Sequence, residues 1–146
     1  MKIRILGASG GIGALARTTS ILVDHDILID AGTGVGDLTL EEMRAIDHVF
    51  LTHSHLDHVT MLPFMLDTVG ADRREPVRVH AQEATLTTLR THLFNGALWP
   101  DFSRIPTPGA PFMTYHVLPA GGEMTPNQRR VRSIPVTHVV PAVGYL

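Results

Sequence analysis

THSHLDH, residues 52–58, brings three histidines and one aspartate into six positions, His53 to His58. The segment leading in, HVFLTH (48–53), is an apolar run of strand length and predicts a buried strand. His53 and His55 are two apart in extended backbone, so their side chains leave on the same side. From Leu56 to Thr68 the pattern predicts a helix, with Pro63 in its first turns or at a bend. Asp57 and His58 then stand at the start of that helix, where they can turn toward a neighbouring position. Imidazole and carboxylate are ordinary ligands of zinc, manganese or iron. Two ligand groups placed back to back suit two metals ~3.5–4 Å apart, an arrangement used for hydrolysis. Scattered surface histidines are common, but that reading explains poorly four ligand side chains bunched behind a buried strand.

Upstream, TTSILVDHDILIDAG (18–32) holds two apolar runs around Asp24-His25-Asp26 and predicts a hairpin. Thr39 and Glu42 have capping-box spacing, so LTLEEMRAI (38–46) is expected to hold a short helix. Downstream, VRVHA (77–81) reads as a strand. EATLTTLRTHLF (83–94) puts Leu86, Leu89, Leu93 and Phe94 on one helical face. SRIPTPGAPF (103–112), with three prolines, reads as a loop. The last strands are FMTYHVL (112–118) and VRSIPVTHVV (131–140), flanking the turn-rich PAGGEMTPNQ. Strands outnumber helices but helices fall between them, which predicts a layered α/β or α+β domain. HVVPAVGYL (138–146) is an apolar, strand-like run without a polar tail, so the domain is expected to continue beyond it.

With 146 residues the chain is sized for one domain. Its net charge of −2 gives no general pull toward polynucleotides or anionic membranes. No cysteine is present, which excludes disulfides, thiolate metal sites and a cysteine nucleophile. That fits a cytoplasmic protein. No run approaches the ~20 apolar residues of a membrane span. Nine histidines against the single lysine Lys2 are the unusual feature.

GASGGIG (7–13) follows the apolar run IRIL (3–6) and poses a competing reading, a phosphate-binding loop. Gly7, Gly11 and Gly13 have the G-x-x-x-G-x-G spacing that resembles the nucleotide loop of short-chain dehydrogenases. Those enzymes need a Tyr-x-x-x-Lys pair, and Lys2 is the only lysine. The β-branched TTSILV leads into a hairpin rather than a helix, so the loop is expected to be a tight turn.

At THSHLDH, with IDAG (29–32) as a second landmark, the sequence resembles the metallo-β-lactamase superfamily. The resemblance implies an α+β fold, a four-layer αββα sandwich with metals at one edge, here its N-terminal part over residues 1–146. It adds His138, in PVTH, as a ligand from a later strand. It groups His53, His55 and His138 around one metal, starts the second with Asp57 and His58, and makes Asp30 structural support for the loop. It also places a bridging aspartate and a last histidine downstream of His138, and hence beyond Leu146. His25, His48, His80, His92 and His116 are expected to be surface or satisfied polar residues.

LFNGALWPDFSRIP (93–106), HSHLDH, THVVPAVGY and LGASGGIG are together similar to class II cyclic-nucleotide phosphodiesterases, although Met61 stands where that group has a small residue. The resemblance implies two divalent ions, zinc first with manganese or iron as alternatives, and a bridging hydroxide that attacks phosphorus. Asp57 is the catalytic candidate, orienting the hydroxide or taking its proton. Trp99 is a candidate for stacking on a base, against a plain role as a loop anchor. The expected substrate is a small phosphodiester such as a 3′,5′-cyclic nucleotide, with a homodimer compatible and no membrane partner. The alternatives are an ester, lactone, thioester or RNA end, or a metal-binding domain without catalysis. With RRVR (129–132) as the only basic cluster, a nucleic-acid polymer is not expected as substrate.

Overall fold

A computed structural model describes all 146 residues. The first apolar run forms β1 (Ile3–Gly7). The expected hairpin follows as β2 (Ser20–Val23) and β3 (Ile27–Ile29), and the three strands pair antiparallel in order. α1 (Leu40–Ala45) opens with the capping box read from the sequence. Thr39 Oγ1 accepts from the Glu42 N–H at 3.2 Å, and the Glu42 carboxylate accepts from the Thr39 N–H at 2.9 Å.

β4 (His48–Phe50) runs parallel to β3 and is shorter than expected. The Leu51 N–H still bonds the His80 carbonyl at 2.9 Å, but the Thr52 N–H turns to the Asp30 carboxylate at 2.8 Å, and the ladder ends there. The single helix expected over 56–68 is two, α2 (Leu56–Val59) and α3 (Leu62–Val69). Met61 gives its N–H to the Ala31 carbonyl, and Pro63, in the first turn of α3, has none to give. β5 (Val77–Ala81) lies parallel to β4 and is followed by α4 (Glu83–His92). The proline-rich stretch is not all loop, since β6 (Pro106–Thr107) and β7 (Ala110–Pro111) form a minimal hairpin. β8 (Met113–Val117) then completes a six-stranded sheet in the order β1-β2-β3-β4-β5-β8.

β9 (Glu123–Met124), β10 (Val131–Val136) and β11 (Ala142–Tyr145) form a second, antiparallel sheet in the order β11-β10-β9. The main core lies between the first sheet and the helices, where Val49, Leu51 and Val79 meet Met65, Leu66, Leu86 and Leu89. Each such side chain contributes about 1.5–3 kcal/mol by leaving water. Strand alternation sends Phe50 and Ile27 to the opposite face, against Val131 and Tyr145 of the second sheet. The fold is thus α+β, with helix, sheet and sheet layers of an αββα sandwich. No helix is long and apolar enough to cross a membrane.

GASGGIG proves to be a turn. After β1 the chain makes a short excursion that returns at Thr18, and no helix begins in it. Arg17 holds it in shape by donating to the Ala14 carbonyl at 3.2 Å and to Asp37 at 3.0 Å. Without a helix start there is no row of free N–H groups to meet a pyrophosphate.

Candidate metal centre

The segment after β4 is held from both sides before any histidine is reached. The Tyr145 hydroxyl donates to the Leu51 carbonyl at 2.8 Å, and the Val143 N–H donates to the Thr52 carbonyl at 3.0 Å. The second sheet therefore grips the backbone that carries His53. On the other side stands Asp30, 1% exposed and with a φ of +56°, a left-handed conformation that is rare outside glycine. That turn aims its carboxylate at Thr52 and at His58, whose Nδ1 lies 2.7 Å from Asp30 Oδ2. Gly32 completes the support. A Cβ there would come within 2.5 Å of the Asp57 carbonyl oxygen and 2.4 Å of Thr18 Oγ1, so only glycine lets the two segments approach this closely.

On this frame His53, His55 and His138 converge. One ring nitrogen from each lies within 4.8 Å of the others, and His55 Nδ1 is 3.2 Å from His138 Nε2. The rings stand edge to face, at 72° for His53 with His55 and 84° for His53 with His138. The three ring nitrogens are thus close enough together for three imidazoles to share one ion. His138 reaches it from the connection between β10 and β11, 83 residues away from His55 in sequence. Beside this trio the His58 ring centroid lies 4.1 Å from that of His53, with His58 Nε2 3.4 Å from Asp57 Oδ2. The two groups sit back to back, with the second on the first turn of α2. Nitrogen and carboxylate donors in this number fit a divalent first-row metal ion.

The electrostatics favour ligation in the first group. Burial, reinforced by the nearby His58, lowers the pKa of His53 to about 4, so its imidazole is neutral and its lone pair free at pH 7. His58 moves the other way. Burial opposes its charge, but the hydrogen bond and charge of Asp30 outweigh that and raise its pKa.

Of the residues singled out from sequence, the structure brings together His53, His55, Asp57, His58, His138 and Asp30. It does not bring Trp99 to them. Trp99 is partly buried, packs against the main core and meets Phe64 edge on at 4.9 Å, outside the cleft that the histidines border. Three contributors carried no sequence signal as site residues: Thr52, Val143 and Tyr145. They act by backbone and hydroxyl contacts, and any residue type supplies the backbone part. The site opens on a cleft of about 780 Å³ between the two sheets, walled by Ile21, Ile29, Val136 and Val143.

The family model described as "Beta-lactamase superfamily domain" matches residues 25–145. Among curated relatives, Ribonuclease Z of Haloarcula marismortui is 30% identical over 100% of this chain and 47% of its own length. Among solved structures, unliganded yeast PDE1 superposes with a TM-score of 0.74 at 16% identity, over 98% of this chain and 59% of that one. The short form of human tRNase Z gives 0.68 at 17% identity, over 99% and 64%. At such identities the two structures show a common fold. The chain spans about half the length of the curated relatives it matches.

These relatives correct one expectation. A nucleic-acid polymer was not expected as substrate, yet relatives that align over 82–100% of the chain bear the name Ribonuclease Z. The expectation rested on a net charge of −2 and on RRVR (129–132) as the only basic cluster, both counted over a chain half as long as its relatives. Net charge also says little about a local contact with phosphate.

Proposed function

The chain belongs to the beta-lactamase superfamily, and from that premise we propose that it carries the metal-binding part of a hydrolase that cleaves a phosphodiester bond in RNA. One observation carries the reading: a converging trio of histidines, with Asp57 and His58 beside it, lies within a chain 30% identical over its full length to a Ribonuclease Z. His53, His55 and His138 would hold one divalent ion, and Asp57 with His58 would begin the site of a second. Zinc suits these donors best, with manganese or iron as alternatives. Ions bound there supply Lewis-acid polarisation of the phosphoryl group and a water acidic enough to react at neutral pH.

The chain's own residues do the rest. Buried, neutral His53 presents a lone pair without first losing a proton. Asp57, partly exposed at the mouth of the site, is placed to orient an attacking water and to hold its proton on a carboxylate oxygen. Asp30 ties the backbone before His53 to His58, and Gly32 lets its turn lie against Asp57. The likeness of LFNGALWPDFSRIP to cyclic-nucleotide phosphodiesterases keeps a small phosphodiester as the second reading.

The test is a substrate panel given to the full-length, metal-loaded protein: a structured RNA with a 3′ extension, 3′,5′-cyclic AMP, and chromogenic ester and lactone substrates. RNA cleavage is expected, abolished by chelator and reduced in His55→Ala by more than the ~10–100-fold that loss of an outer-shell partner of a metal ligand costs. Turnover of cyclic AMP with RNA left intact would restore the small-phosphodiester reading. Turnover of only the ester or lactone would move the reaction to another bond. Bound metal with no turnover at all would leave a binding domain.

A further inference from the structure

We propose that Thr52 is a positioning residue whose hydroxyl relays the Asp30 carboxylate to His53 and fixes which ring nitrogen of His53 is free to ligate. The inference rests on the metal-site reading above, and it concerns a residue that can bind no metal through a ring nitrogen or carboxylate.

The geometry decides the proton positions. Thr52 Oγ1 lies 2.8 Å from Asp30 Oδ2 and 3.1 Å from Oδ1, and also 2.9 Å from His53 Nδ1. A carboxylate only accepts, and a threonine hydroxyl has a single proton. An oxygen–oxygen approach of 2.8 Å without a proton between them would be repulsive, so the hydroxyl donates to Asp30. Toward His53 the same oxygen can then only accept, which places a proton on His53 Nδ1. His53 Nε2 is left with its lone pair, facing the other imidazoles.

Asp30 sets His58 by the same logic, without a relay. His58 Nδ1 lies 2.7 Å from Asp30 Oδ2 and must donate, which leaves His58 Nε2 free on the side of Asp57. One buried carboxylate therefore sets a ring in each donor group, His58 directly and His53 through Thr52. Water cannot replace the relay easily, because Asp30 is 1% exposed and already accepts from the Thr52 N–H at 2.8 Å. His55 lies outside this arrangement: it faces His138 through its Nδ1, and no contact ties it to Thr52 or Asp30. The relay thus distinguishes two histidines that the sequence presents as equivalent.

The test uses the full-length protein, metal-stripped and 15N-labelled on histidine, read by long-range proton–nitrogen correlation at mildly alkaline pH. Zinc titration is the second readout. In the wild type, His53 Nδ1 is expected to be the protonated nitrogen. Thr52→Val keeps the shape but removes the hydroxyl; it should give His53 a mixture of tautomers, leave His55 unchanged and weaken zinc binding ~10–100-fold. Thr52→Ser keeps the hydroxyl and should stay within about threefold of wild type.

A wild-type His53 protonated on Nε2 would overturn the proposal, and that measurement requires no variant to fold. So would a folded Thr52→Val protein with unchanged His53 tautomer and unchanged zinc affinity. If the wild type shows the expected tautomer but binds no zinc, the relay stands and the metal-site reading fails.

Discussion

His80 is 1% exposed in the middle of the first sheet, and its Nε2 lies 2.9 Å from His48 Nδ1. Its ring stacks on Phe50 at 4.5 Å and lies tilted beside His116 at 5.0 Å. Neither His48 nor His80 approaches the candidate metal centre, in keeping with satisfied polar residues. Their burial has a consequence for pH. Burial, with the nearby His48 adding to it, lowers the pKa of His80 to about 3, against ~6.5 in an unfolded chain. A histidine depressed in this way stabilises the fold fully above pH ~6.5, and the contribution falls as the pH drops toward the folded value. Each unit in that window costs about 1.4 kcal/mol. Unfolding by denaturant at pH 7.5 and at pH 5 should therefore differ by about 2 kcal/mol more in wild type than in His80→Phe. Equal pH sensitivity in the two proteins would mean that His80 is not buried neutral.

Among the elements, the IDAG turn after β3 and the ligand segment after β4 form a single unit joined at Gly32. Gly32→Ala should force the Asp57 carbonyl and Thr18 apart, costing about 1–3 kcal/mol. It should also weaken metal binding, because Asp57 and His58 ride on the segment displaced. Thermal unfolding and metal titration of the variant check both effects. Much of this level was legible. The capping box at Thr39 and Glu42, the hairpin around Asp24 to Asp26 and the strand VRVHA all obey local rules, and all are observed.

The misses share one cause. β4 stops at Phe50 because the Thr52 N–H leaves for Asp30, and the helix after Leu56 breaks because the Met61 N–H leaves for Ala31. Both diversions are tertiary contacts made to build the site, and a local pattern cannot contain them. The donor residues within 53–58 were legible because they share one short motif. His138 came only through family resemblance, since nothing local marks one histidine on a distant connection.

Across the whole molecule, the two sheets are tied together at a second place, apart from the contacts beside the candidate metal centre. Arg129, just before β10, donates to Asp24 at 2.9 Å and also to Asp26, which Asn127 contacts too. Asp26 is 4% exposed, and although burial opposes its charge, the bonds from Arg129 and Asn127 keep its pKa below the usual carboxylate value. Arg129→Ala leaves that carboxylate buried without its cation and should cost about 3 kcal/mol. A conservative Arg129→Lys should recover part of it, and a loss below ~0.5 kcal/mol would show that the clamp does not hold the sheets together. At this scale the sequence was least informative. Its RRVR run looked like a lone basic cluster, yet one of its arginines is spent on this clamp.

Metal content of the full-length protein, purified without chelator or affinity tag, tests the central claim most directly. Elemental mass spectrometry should find close to two divalent ions per wild-type chain, and one or fewer in a His55→Ala protein that keeps its circular-dichroism spectrum, with a lower unfolding temperature as the bound ion is lost. A wild-type protein that holds no ion, even after dialysis against zinc or manganese, would contradict a metal centre built on His53, His55 and His138.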